Sequence, residues 1–497
     1  MEDCLGKNNF FSYDNMKYDN LSLDIKLNDI ENKIFSLFKD IIKENDLLSI
    51  ELRVTGGWVR DKLLNYNNSD IDIVISNYSS FEFSKLIQNK IQNIKIISNN
   101  IKQVYGNKIN LVKLNIFNQN IDLININNNP IEDANKRDLT INSLFYNIIQ
   151  NKIEDFTNKG INDLKNGILK TPLNPYFVYS ENPLCIIKLL RFAEKYKFKI
   201  DNTINEDILL NNEEYKKNIK EKRSNDKIYI EISKVFILSK PQFVIYGLFK
   251  YNILESVLHI DKFKNVKNGY CESDIIKLVN LFIVGNYIFE KYSKVFLNEI
   301  IDNEYKIIYY SFLLIVIFND YKDECKVSLS KIISQKILKI QHKEKNIYKL
   351  LSYFNEFISL VSNDNYNRLS VGILIRNILG NNLSKMILSC ISLEYIILFC
   401  KKNIIINNID EEKCVILFQK YNILYNYVKN ENLLNIDELK PILSNKEIIM
   451  NYNGIKGNMI NKIITFLISK QIESYNKINK EEALLLIDNY IKKNYSP

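Results

Sequence analysis

The spacing of apolar and polar positions divides the chain into two regimes. Up to about residue 165, short segments of helical and strand period follow one another. Apolar residues in 34–42 recur at helical spacing, which puts them on one face and predicts a helix. Residues 50–55 form a β-like run that stops at Gly56-Gly57. The stretch DIDIVIS at 70–76 alternates at first and reads as a half-buried strand. Segments 94–98, 111–117 and 121–126 are further strand expectations. Beyond roughly residue 180, apolar residues mix with Lys, Glu and Asn at helical spacing with few breakers. Residues 1–30 are polar and mixed and read as a loose arm. The fold class is therefore α+β: an arm over 1–30, a mixed head over 31–165, a helical segment over 166–265 and a helical body and tail over 266–497.

The most apolar run, 307–318, is about a dozen residues between charges. It falls short of the roughly 20 needed to span a bilayer, so a buried helix and no membrane partner are expected. The first residues lack a basic stretch followed by an apolar one, and Glu2 and Asp3 argue against a transit peptide. An intracellular protein of the cytoplasm or nucleus is expected, with an organelle left open; the oligomeric state is not set.

Composition narrows the chemistry. Two histidines, His259 and His342, exclude a multi-histidine metal site. Seven cysteines without a CxxC pair fit neither zinc nor a disulfide framework and suggest a reducing compartment. The net charge of +9 permits a nucleic-acid partner, but a solvated Lys-rich surface explains it equally. Lys and Asn are abundant as A/T-rich codons would make them, whereas there are seven arginines and one Trp. The rare residues therefore carry more information.

The densest chemistry is Gly56-Gly57-Trp58-Val59-Arg60-Asp61, followed by Asp70-Ile71-Asp72. Glycines let the backbone approach a bound group closely. A helix that starts there presents free N–H groups suited to a phosphate. Asp70 and Asp72, two apart on a strand, face the same side. Their carboxylates repel unless a cation lies between them, and Mg²⁺ favours such oxygen donors together with substrate phosphates. Asp122, on a later strand, is the candidate third carboxylate. In Lys136-Arg137-Asp138, Arg137 is a planar donor for a phosphate or sugar, with Asp138 its orienting partner or a hydroxyl acceptor. A structural ion pair is the competing reading.

These motifs, with Thr140-Ile141-Asn142 after the Arg-Asp pair, resemble the signatures of the class II tRNA nucleotidyltransferase and bacterial poly(A) polymerase family. The Trp after the glycines resembles the eukaryotic CCA-adding variety. Segments 153–164 and 171–173 are similar to the family's connector, 181–193 to its neck helix, and 223–231 and 241–254 to its next helices. The resemblance covers roughly 45–260. It implies a polymerase-beta-like nucleotidyltransferase head, then a neck that selects the nucleotide, then a body and tail that bind tRNA. The implied reaction adds CMP and AMP from CTP and ATP to the tRNA 3′ end. Asp70 and Asp72 would hold two Mg²⁺ ions, Gly56, Gly57 and Arg60 would lie at the nucleotide phosphates, and Arg137 and Asp138 would bind the nucleotide.

Two departures stand out. The family's neck reads Glu-Asp-x-x-Arg with another Arg three residues on, whereas this chain has Glu181, Asn182, Cys185 and Lys188. Asn182 can still donate and accept hydrogen bonds, but Cys185 cannot replace a guanidinium fork, and Lys188 keeps charge without bidentate geometry. The segment 126–130 before the Arg-Asp motif is also short and Asn-rich. In the family, loss of the longer segment accompanies enzymes that add only CC. The alternatives are thus a CC-adding, A-adding or poly(A)-forming relative, or a silent RNA-binding protein.

Overall fold

The computed structural model describes residues 18, 21–68, 70–91, 95–104, 107–125, 129–222, 224–260, 271–296, 302–318, 330, 333, 354–363, 366–376, 382–452, 455 and 457–495. Residues 95–104, 107–110, 222, 355 and 495 are described by their backbone. His342, Arg223, Cys4, Cys325, Ile94 and residues 126–128 of the Asn-rich segment lie outside the described residues.

Contacts divide the chain into two compact units. One holds the described residues of 10–224 and 238–257, the other those of 225–237 and 258–497.

The first unit is built on helix α1 (Asp29–Glu44), strand β1 (Glu51–Thr55), helix α2 (Gly57–Leu63), strand β2 (Ile71–Ser76) and helix α3 (Ser80–Lys90). Strands β3 (Lys95–Val104), β4 (Asn107–Ile116) and β5 (Gln119–Asn125) follow, then helix α4 (Pro130–Asn135), strands β6 (Leu144–Asn147) and β7 (Lys152–Asp155), and helix α5 (Gly160–Lys165). The strands form one sheet in the order β3-β4-β5-β2-β1-β6-β7. The β2–β5 pair is parallel and the other pairs are antiparallel. The helix expected over 34–42 lies inside α1, whose Ile34, Phe35, Phe38 and Ile41 are buried. Asn28 and Glu31 close the α1 N-terminus as a reciprocal capping box, which satisfies two otherwise orphaned N–H groups. Ile71, Ile73 and Ile75 are buried on one face, but Val74 and Ser76 on the other are buried too, so beyond Asp72 strand β2 is covered on both faces and not half-buried as expected.

The unit continues with helices α6 (Pro175–Glu181) and α7 (Cys185–Tyr196). Helix α7 packs an apolar face of Ile186, Leu189, Leu190 and Ala193 into the core. Helices α8 (Asn202–Leu210), α9 (Asn212–Lys222) and, after an excursion through the second unit, α11 (Pro241–Lys250) complete it. A β-carbon at Gly247 of α11 would lie 2.5 Å from the Leu190 side chain, so only glycine allows this approach to α7.

The second unit is helical, as the pattern beyond residue 180 predicts. Phe236 from helix α10 (Asn225–Phe236) stacks with Tyr310 of helix Asn303–Val316 and packs at a tilt on Phe282 of helix Glu272–Phe296. Tyr305, Tyr309, Tyr310 and Phe312 are buried, as expected for core residues. Most of the apolar run 307–318 falls in helix Asn303–Val316. Among the described residues, no helix is long and apolar enough to cross a membrane.

Candidate active site: a row of charged residues beside a glycine turn

Strand register lines up four side chains across the sheet. Thr55 of β1 is the Cα partner of Asp72, Asp72 that of Asp122 on β5, and Asp122 that of Lys113 on β4. Directly opposed residues share a face, so the row is contiguous. Asp70 stands exposed just before β2, and its N–H donates to Asn68 Oδ1 at 3.0 Å. Asp70, Asp72, Lys113, Asn120 and Asp122 line one open cleft of about 310 Å³. Burial pushes the Asp72 carboxyl above its ordinary range; Asp122 and Asp70 push the same way, against Arg137 and Lys113. Lys113 Nζ lies 2.5 Å from Asp122 Oδ2.

The glycine turn sits at the end of β1. Gly56 has φ +74°, a conformation that disfavours a side chain, and a β-carbon there would lie 3.1 Å from Arg137 Nη1. Gly57 similarly faces Arg60 Nη2 and Asn68 Nδ2, both 3.3 Å from where its β-carbon would be.

Arg60 is buried, and its fork is already engaged. Nε and Nη2 donate to Asp61 Oδ1 at 3.0 and 2.9 Å, and Nη1 donates to Asn142 Oδ1. The guanidinium also lies 4.6 and 4.8 Å from the ring centres of Phe192 and Tyr196 on α7. Asp61 collects further donors: Tyr196 Oη at 2.5 Å, Asn68 Nδ2 at 3.0 Å and Lys195 Nζ at 3.5 Å. The direct phosphate contact expected of Arg60 is not what this geometry presents. Its donors tie the glycine-turn helix to α7 and to Asn142.

Arg137 is more open. Its Nε and Nη2 donate to Asp133 Oδ2 at 3.2 and 2.8 Å, its Nη1 donates to the Asn142 carbonyl at 3.3 Å, and it lies 5.2 Å from the Phe145 ring centre. The carboxylate paired with Arg137 is therefore Asp133, while Asp138, expected as an orienting partner or a hydroxyl acceptor, makes other contacts. Residues four apart meet across a helical turn, which brings Asp133 to Arg137. Asp138 instead accepts from the Leu139 N–H at 3.0 Å and from Asn142 Nδ2 at 2.8 Å, and its other oxygen lies 3.9 Å from Lys188 Nζ on α7. Asn142 thus bridges Arg60, Arg137 and Asp138. Behind it, Thr140 donates to buried Asp163 at 2.7 Å, and Gly160 approaches the Thr140 carbonyl so closely that a β-carbon would fall 2.6 Å away.

Of the neck residues, Asn182 is the half-buried C-cap of α6, and Cys185 is buried at the start of α7. Lys188 follows one turn later on the same helix. Arg191 stacks on Phe192 at 4.4 Å. Trp58 is buried, and its Nε1 donates to Glu31 at 2.9 Å.

Asp61 and Asn142 stand inside the sequence motifs without an assigned role, and Asp133, Lys113 and Tyr196 are site residues that the sequence does not single out. The i, i+4 spacing of Asp133 and Arg137 was an available signal; the others depend on long-range packing. Among the described residues, no three His, Cys, Asp or Glu side chains close a metal site by themselves. The carboxylates present an open, oxygen-only donor set.

Comparison with known proteins follows this geometry. Residues 52–170 match the Poly A polymerase head domain family. The mitochondrial CCA tRNA nucleotidyltransferase of Saccharomyces cerevisiae is 26% identical over 88% of this chain and 89% of its own length. The tRNA nucleotidyltransferase cca2 of Schizosaccharomyces pombe is 25% identical over 90% of this chain and 96% of its own. A solved Thermotoga maritima CCA-adding enzyme complexed with tRNA shares the fold at TM-score 0.57 and 18% identity, covering 96% of this chain and 99% of that one. A CCA-adding enzyme solved with ATP aligns at TM-score 0.58 and 18% identity, over 97% of this chain and 99% of that one. The head thus matches the Poly A polymerase head domain family, and the chain is similar along most of its length to CCA tRNA nucleotidyltransferases and shares the fold of CCA-adding enzymes.

Proposed function

We propose that this protein adds CCA to the 3′ end of tRNA from CTP and ATP. The observation that carries the reading is the in-register pairing of Asp72 with Asp122, with Asp70 at the same cleft. Nucleotidyl transfer needs carboxylates that hold a divalent cation between a 3′ hydroxyl and a triphosphate, and this row supplies them.

In this reading Asp70 and Asp72 are the metal ligands. Their donor set fits Mg²⁺, which binds through one or two carboxylates and completes its shell with phosphates and water. Burial, and after it the repulsion of Asp122 and Asp70, raises Asp72, and a bound cation would offset both. Bound Mg²⁺ supplies neutralisation of the triphosphate and acidifies the attacking hydroxyl. Asp122 orients that hydroxyl and takes up its proton. The Gly56-Gly57 backbone and Arg137 receive the phosphates, with Asp133 aiming the Arg137 fork. Arg60 is a positioning residue that locks the glycine turn to α7. Residues 31–165 form the catalytic head, 166–265 the neck and 266–497 the tRNA-binding body and tail.

A CC-adding enzyme is the second reading, because the segment before the Arg-Asp motif is short and neither buried Cys185 nor Lys188, 3.9 Å from Asp138, supplies a guanidinium fork at its neck position. The yeast relative's name calls that protein mitochondrial, which supports an organellar place of action here.

The test is a tRNA lacking its terminal CCA, incubated with Mg²⁺ and CTP, ATP or both. Two additions with CTP and a third with both nucleotides support CCA addition. A stop after two supports the second reading, and long tails would indicate poly(A) synthesis. No incorporation under any condition rejects all of these enzymatic readings.

A further inference from the structure

We propose that Lys113 is a built-in counter-cation that holds Asp122 until a divalent metal ion displaces it. The inference rests on the metal-site reading of the cleft.

Lys113 is the cross-strand partner of Asp122, and its Nζ meets Asp122 Oδ2 at 2.5 Å. Its side chain remains 39% exposed, so it can swing into solvent when a competing cation arrives. The cleft contains three carboxylates, Asp70, Asp72 and Asp122, against this one lysine lining it. Without compensation, the carboxylates of Asp72 and Asp122, directly opposed on neighbouring strands, repel. A lysine ammonium is a compact charge on a flexible stem, suited to neutralise such a pair and then leave. A divalent ion held by Asp70 and Asp72 in the same cleft repels the ammonium, which frees Asp122 at the cost of one salt bridge. The metal-free head is thereby stabilised and metal affinity is reduced, so the cation binds firmly only when nucleotide phosphates add ligands.

The test measures Mn²⁺ binding to the full chain by electron paramagnetic resonance, without nucleotide. Removing one charge at this distance, with partial solvent screening, should tighten Mn²⁺ binding about three- to tenfold in Lys113→Met. Lys113→Arg should bind as the unaltered protein does. In an Asp122→Asn background, Lys113→Met should have no further effect. Unchanged Mn²⁺ affinity in Lys113→Met, or equal tightening in the Asp122→Asn background, overturns the proposal. A second measurement needs no substitution: amine-reactive labelling of Lys113, read by mass spectrometry, should rise when Mn²⁺ is added, and constant or falling labelling counts against it. If the unaltered protein binds no Mn²⁺, both the metal-site reading and this inference fall. If it binds but Lys113 has no influence, only this inference falls.

Discussion

Tyr196 donates its hydroxyl to Asp61 at 2.5 Å, joining residues 135 positions apart. The contact ties the end of α7 to the helix that follows the glycine turn. Burial raises the Tyr196 phenol well above its ordinary range, so it remains a donor at any working pH. Tyr196→Phe should lower stability by about 1.5–3 kcal/mol, the usual value of a hydrogen bond to a charged group. Asp61→Asn should cost more, about 3–5 kcal/mol, because it strips the carboxylate from a buried guanidinium. Urea unfolding of both variants checks the order; equal or smaller loss in Asp61→Asn would contradict the hub role.

Gly56 stands where the chain needs positive φ and where Arg137 needs room. Gly56→Ala should destabilise by about 1–3 kcal/mol, as side chains in such backbone regions do. It should also reduce incorporation more than stability alone explains, because the new methyl group displaces Arg137. Comparing kcat/KM with Tm across Gly56→Ala and Asp133→Ala separates the two effects. Asp133→Ala should spare stability to within about 1 kcal/mol, since its ion pair is partly exposed, yet lower kcat/KM about tenfold.

Asp163 provides a pH test remote from the cleft. Burial raises its carboxyl above 3.8, outweighing the hydrogen bond from Thr140, which lowers it. The folded protein therefore holds this proton more tightly than the unfolded chain. Stability from this group is present below the unfolded pKa and is lost as pH rises through the folded one. The difference in unfolding free energy between the unaltered protein and Asp163→Asn should shift against the unaltered protein as pH rises from about 4 to 6. A difference that stays constant or moves the other way would refute the assignment.

Lys188 on α7 places its Nζ 3.9 Å from the Asp138 carboxylate. Lys188→Met should raise the KM for nucleotide several-fold and alter the ratio of CTP to ATP use, with kcat little changed. Primer-extension kinetics with each nucleotide decide it. An unchanged ratio would show that Lys188 serves packing and charge balance alone.

Much of the head was legible because it is written locally. The β run before the two glycines, the strand at 71–76 and the apolar spacing in 34–42 are local signals, and each appears in the fold, though β2 is buried on both faces beyond Asp72. The Asp70-x-Asp72 pair was legible for the same reason, since spacing alone fixes the face. Tertiary structure decided the partners. That Lys113 meets Asp122 depends on the β4–β5 register, and that Asp122 faces Asp72 depends on a parallel pairing across a long connection. That Arg60 is spent on Asp61 and Asn142 depends on α7 and on the turn after Asp138 closing over it. Local periodicity tells which way a side chain points, but what it meets there is set by register and packing, which bring together residues far apart in the chain.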